Sequence, residues 1–155
     1  MITFEEINVD KAMLQIFKTT NFPLLKLHIE DEVNNINGNI VYEYLNGRDL
    51  SSNIYTNDDT SKYQWIAVIN DNNIIALQLL HFIEDAIELV ILEKVAKYNV
   101  HNIFKTVLEY VEERYTPFEI FTFPLHDKLK EEYKKYGFIE EDKELIKYYG
   151  NKNNG

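Results

Sequence analysis

Leu129-Lys130-Glu131-Glu132-Tyr133-Lys134-Lys135-Tyr136-Gly137-Phe138 is the stretch on which the fold turns. Its charge pattern predicts a short solvated helix from Asp127 to Tyr136. Gly137 closes that helix, because glycine enters the left-handed region at little steric cost. Phe138 then turns back into the core as the next strand starts. Tyr133 lies four residues before the glycine.

Working outward, Phe118 to Phe123 reads as a strand ended by Pro124. Before it, Ile103, Phe104, Val107, Leu108 and Val111 are spaced for one buried helix face. Further upstream the period changes to that of strands. Trp65 to Ile69 and Ile74 to Phe82 flank Asn70-Asp71-Asn72-Asn73, whose residue types tolerate the positive φ of a hairpin turn. Glu84-Asp85 marks a second turn, and Ile87 to Leu92 a third strand. At the N-terminus, Ile2 to Ile7 is a strand. Asp10 is expected to cap a helix carrying Met13, Leu14, Ile16 and Phe17 on one face. Pro23 suits the first turn of a second helix, with Leu24, Leu25, Leu27 and Val33 as its apolar residues. Asn37 to Gly47 is expected to be a short helix and Arg48 to Lys62 a polar surface loop. Phe138 onward and Glu144 to Tyr149 form a last pair of strands. The class is mixed α/β, a mostly antiparallel central sheet flanked by helices. Strand Ile87–Leu92, the helix near Asn102 and strand Phe118–Phe123 form a crossover. The two strands should therefore lie parallel and side by side, diverging at their C-terminal ends into a cleft.

Composition narrows the function. The 155 residues suit one domain over 1–150, with 151–155 a disordered tail. There is no cysteine, so disulfides and thiolate metal sites are excluded, and a cytoplasmic setting is expected. The net charge of −10 disfavours direct nucleic-acid binding and suits a basic partner or a cationic substrate. No apolar run is long enough to span a membrane, and the acidic start Met1-Ile2-Thr3-Phe4-Glu5-Glu6 lacks a secretory pattern. No Walker loop, His-Glu-x-x-His or Gly-x-Ser-x-Gly is present. His28 and His81 show no clear partner and read as surface or satisfied core residues.

The order of elements is similar to that of the Gcn5-related N-acetyltransferase (GNAT) superfamily. Three segments carry the resemblance: the hairpin Trp65 to Ala76, the strand Ile87 to Val95 followed by a helix at about Asn102, and above all Leu129 to Phe138. It implies an acyl-CoA-dependent N-acyltransferase that moves an acetyl group from acetyl-CoA to an amine of a small molecule or protein. In that reading Tyr133 protonates the leaving thiolate. A carboxylate on the Ile87–Leu92 strand accepts the proton of the incoming ammonium. Glu88 and Glu93 flank that strand, and a regular strand would put them on opposite faces; Glu88 is the candidate base. Val95, Asn99, His101, Asn102, Phe104 and His126 fall where such proteins contact the cofactor.

The chain departs from the family at its diphosphate loop. That loop aligns with Asn99-Val100-His101-Asn102-Ile103-Phe104, and no glycine occurs between Gly47 and Gly137. Asn102 tolerates left-handed geometry and caps helices. Lys97, His101 and Lys105 either supply charge to phosphates or are solvated. Phe104 either packs inward with Val107 and Leu108 or lies across the cleft. The departure keeps an alternative open: a catalytically inactive domain of this fold that binds a protein partner, possible forms including a phage-type acidic inhibitor of a basic protein.

Overall fold

The structure, a computed structural model, describes residues 1–35, 61–98, 102–124 and 127–149. The helix expected at Asn37–Gly47, most of the loop expected at Arg48–Lys62, the Val33 side chain, the tail 151–155, and Asn99, His101 and His126 lie outside the described residues.

The elements run β1 (Ile2–Ile7), α1 (Val9–Phe17), α2 (Pro23–Asn35), β2 (Ser61–Asn70), β3 (Asn73–Ile83), β4 (Ala86–Lys94), α3 (Ile103–Tyr115), β5 (Glu119–Thr122), α4 (Asp127–Lys135), β6 (Ile139–Glu141) and β7 (Glu144–Tyr148). The strands form one sheet in the order β1-β2-β3-β4-β5-β7-β6. Among the described strands only β4 and β5 pair parallel, as the crossover requires. Among the described residues no helix is long and apolar enough to cross a membrane.

Local chemistry accounts for the turns. Asp71 and Asn72 hold φ of 51° and 67°, so the β2–β3 hairpin uses the primed geometry that matches strand twist. α4 ends as expected. Gly137 has φ of 100°, its N–H donates to the Lys134 carbonyl, and the Phe138 N–H reaches the Tyr133 carbonyl at 3.3 Å. The Phe138 ring meets the Tyr133 ring at 5.2 Å, the apolar contact that accompanies this cap.

Three expectations are corrected. Asn8, not Asp10, caps α1: its side chain accepts the Lys11 N–H at 2.8 Å, and Asp10 sits in the first turn. The cap falls there because Ile7 is the last residue of β1 paired with β2. β2 begins at Ser61, inside the expected loop, because Ser61 and Lys62 pair with Ile83 and Phe82. Leu14, Leu24 and Leu27 are exposed, while Phe22, Leu25 and Ile29 carry the burial of the second helical segment.

Two cores flank the sheet. On one face Ile66, Val68, Ala76, Leu80 and Ile120 pack against Val107, Leu108 and Val111 of α3 and Tyr133 of α4. On the other, Trp65, Ala67, Leu77 and Leu79 pack against α1 and α2. The strand between them is irregular. Leu80 pairs with Leu89 and Leu79 with Ile91, so Val90 is an extra residue in β4. Buried Gln78 supports this bulge, its side-chain amide donating to the Ile91 carbonyl at 3.1 Å. A bulge reverses the alternation beyond it. Glu88, Ile91 and Glu93 therefore share the face of α1 and α2, and the opposite-face placement expected for Glu88 and Glu93 does not hold.

Candidate functional site

β4 and β5 pair only through Ala86–Glu119, Ile87–Ile120 and Glu88–Phe121, and then part. Beyond that rung opens a cleft of about 550 Å3. Its walls are Leu24, Leu27 and His28 from α2, Val90 to Leu92 and Lys94 from β4, Ile103 and Phe104 from α3, and Thr122 with Tyr133 on the far side. His28 thus borders the cleft, a placement its sequence context did not indicate.

Tyr133 lies on the cleft wall and is only 6% exposed. Its hydroxyl is hydrogen-bonded to Thr122, whose own hydroxyl donates to the Leu89 carbonyl at 2.8 Å. Burial pushes the phenol above its ordinary range, and the Thr122 contact offsets that in part. The group is a protonated donor at neutral pH. The sequence carries no signal for Thr122, because its placement depends on where the strands part.

Glu88 occupies the last rung before the split, on the opposite face of the sheet from Tyr133. Its carboxylate lies 3.2 Å from Nδ1 of His81, its cross-strand neighbour, and the Tyr63 ring stacks on that imidazole at 4.1 Å. His81 therefore has partners that its sequence context did not reveal. Glu93, the other candidate, is buried at 7% exposure. Its two oxygens accept the backbone N–H groups of Leu24 at 3.1 Å and Leu25 at 2.7 Å, in the first turn of α2.

The residues expected to meet a cofactor are placed as follows. The Val95 N–H donates to the Ile75 carbonyl at 2.8 Å, so that amide is already engaged. Asn102 precedes α3 with φ 55° and ψ 43°, and its side chain makes no capping hydrogen bond. The first amides of α3 are thus left without a side-chain cap. Phe104 joins the same core as Val107 and Leu108. Its ring packs edge-on against Tyr133 at 4.4 Å and leans on Tyr136 at 5.4 Å, forming a wall of the cleft. Lys97 sits over the Tyr98 ring at 5.3 Å, and Lys105 is exposed. Among the described residues no group of three acidic or histidine side chains could hold a metal.

No protein-family model and no curated protein matches the sequence. Solved structures do match in fold. PaiA N-acetyltransferase from Thermoplasma acidophilum, in complex with coenzyme A, is 15% identical, with 96% of this chain and 99% of that one covered and a TM-score of 0.55. A GNAT family acetyltransferase from Elizabethkingia anophelis with acetyl-CoA bound is 12% identical over 96% of this chain and 98% of its own, with a TM-score of 0.53. Campylobacter jejuni N-acetyltransferase PseH with acetyl-CoA is 12% identical over 96% and 98%, with a TM-score of 0.52. The chain has the GNAT fold, as a divergent example of it.

Proposed function

We propose that this protein is an acyl-CoA-dependent N-acyltransferase that moves an acetyl group from acetyl-CoA to an amine. The observation that carries the reading is the cleft at the parting of β4 and β5, with a buried, protonated Tyr133 on one wall. The Glu88–His81 pair stands at the last rung before the split, on the other face of the sheet. The donor set fits the cofactor. Apolar walls suit an extended pantetheine arm, and the uncapped start of α3 suits a phosphate group. The bound thioester supplies the acyl group.

Three tasks then fall to the chain's own residues. The acceptor reaches the site as an ammonium and must lose a proton before it can attack. Glu88, steadied by His81, is the group that takes it. Tyr133 gives a proton to the departing sulfur, with Thr122 fixing the hydroxyl's direction. The acceptor side of the sheet favours a cation. Glu144 is held above the usual carboxylate range, first by desolvation and then by Glu119, Glu141 and Glu88 nearby.

Calorimetric titration with acetyl-CoA tests the reading directly, with micromolar affinity as the expected result. No heat and no thermal shift at millimolar acetyl-CoA would overturn it. A thiol-release assay over a panel of amines then identifies the acceptor.

A further inference from the structure

We propose that Lys94 is the cationic clamp for the cofactor's diphosphate, doing with a side chain what a glycine-rich loop does with backbone amides. The inference rests on the acyltransferase reading and concerns the same cleft. A diphosphate is held by several charge-assisted donors, and these are commonly amides at a helix start that the ligand can approach closely. Here no glycine occurs between Gly47 and Gly137, so close backbone approach is limited. Another donor has to supply part of the attraction.

Lys94 is placed for that work. Its rung with Ala76 puts it on the α3 side of the sheet, and it lines the cleft. Its ammonium donates to the carbonyls of Val95, at 3.4 Å, and Tyr98, the residues through which the chain leaves β4 toward α3. An ammonium has three donors, so one remains for a ligand. Among the described residues no carboxylate lies within ion-pair distance of Lys94. By contrast Lys11, Arg114, Lys130, Lys134, Lys135 and Lys147 each have one. In a chain of net charge −10, a half-buried lysine that faces a cleft and donates to carbonyls is, among the described residues, a cation available to an anionic ligand. Lys97 and Lys105 are exposed and are screened by water.

The test compares three probes on wild type, Lys94→Met and Lys94→Arg by calorimetry. The probes are acetyl-CoA, S-acetylpantetheine, which lacks the diphosphate, and inorganic pyrophosphate. Lys94→Met keeps the apolar stem and removes the charge. It should weaken acetyl-CoA about tenfold or more, abolish pyrophosphate binding, and leave S-acetylpantetheine within about twofold. Lys94→Arg should restore acetyl-CoA binding to within about threefold. Unchanged acetyl-CoA affinity in Lys94→Met overturns the assignment. Equal losses for acetyl-CoA and S-acetylpantetheine also overturn it, because they show a loop brace rather than a phosphate contact. Wild type that binds pyrophosphate through Lys94 but not acetyl-CoA keeps Lys94 as a diphosphate-binding residue, overturns the cofactor as its ligand and removes the acyltransferase reading. Binding of neither removes both.

Discussion

Two helices begin at the edge of the same cleft, and their first turns are treated in opposite ways. α2 starts at Pro23, and the carboxylate of Glu93 reaches across from β4 to accept the amides of Leu24 and Leu25. The positive end of that helix is answered from within the protein. α3 starts after Asn102, whose left-handed backbone turns the chain into the helix while its side chain caps nothing. Among the described residues no side-chain anion caps that positive end. The contrast teaches that one wall of the cleft is built as a fixed surface, while on the proposed reading the other is completed by a ligand. Neighbouring residues of one strand serve the two ends: Glu93 turns to α2, and Lys94 to the loop leading to α3.

The harshest test of that division is whether chemistry happens between the two walls at all. Tyr133→Phe removes one oxygen from the cleft and leaves the ring contacts with Phe104 and Phe138 in place. Loss of a general acid costs about 10²–10⁴ in rate, so kcat should fall at least a hundredfold while acetyl-CoA affinity moves less than threefold. Because burial raises this phenol, the alkaline fall of kcat should lie above the ordinary tyrosine range, about pH 10. A fully active Phe variant would remove Tyr133 from the acid role.

The next effect concerns the answered helix. Glu93→Ala strands two N–H groups in the first turn of α2, one of them buried. Unsatisfied donors and a lost cap together should cost about 2–4 kcal/mol, or roughly 5–15 °C in Tm for a domain of this size. Glu93→Gln keeps an acceptor oxygen and should lose less than half of that. If both variants melt with wild type, the α2 start is not held by Glu93. If instead the loss appears in acetyl-CoA affinity with Tm unchanged, the two ends have been assigned the wrong way round.

How much of this could be read in advance follows from where the signals sit. The hairpin at Asp71-Asn72 and the cap at Gly137 were legible because residue type alone selects positive φ there. Tyr133 was legible through its spacing from that glycine. The bulge was not. Ile87-Glu88-Leu89-Val90-Ile91-Leu92 is an unbroken strand-like run with no glycine to mark an extra residue, and its irregularity shows only in register with β3. Misreading the alternation hid the shared face of Glu88 and Glu93. Lys94 and Thr122 were hidden for a related reason: each lines the cleft where β4 parts from β5, which is a property of two strands and not of either one. The partners of His81 lie on the neighbouring strands β2 and β4, and such cross-strand contacts have no local signature.

The smallest effect separates the backbone of Asn102 from its side chain. The left-handed region costs an ordinary L-residue roughly 1–2 kcal/mol, less for Asn and nothing for Gly. Asn102→Ala should therefore destabilise the protein by about 1 kcal/mol. Asn102→Gly gains on the folded side and loses a similar amount through the freer unfolded chain, so its stability should stay within about 0.5 kcal/mol of wild type. The ligand behaves differently if only the amides of α3 matter. Both variants keep those amides, so acetyl-CoA affinity should change by less than about threefold in each, and Gly should not fall below Ala. A larger and equal loss in both would mean that the Asn102 amide itself contacts the ligand. In that case the start of α3 is not an open end awaiting an anion but a polar side-chain site, and the contrast with α2 fails.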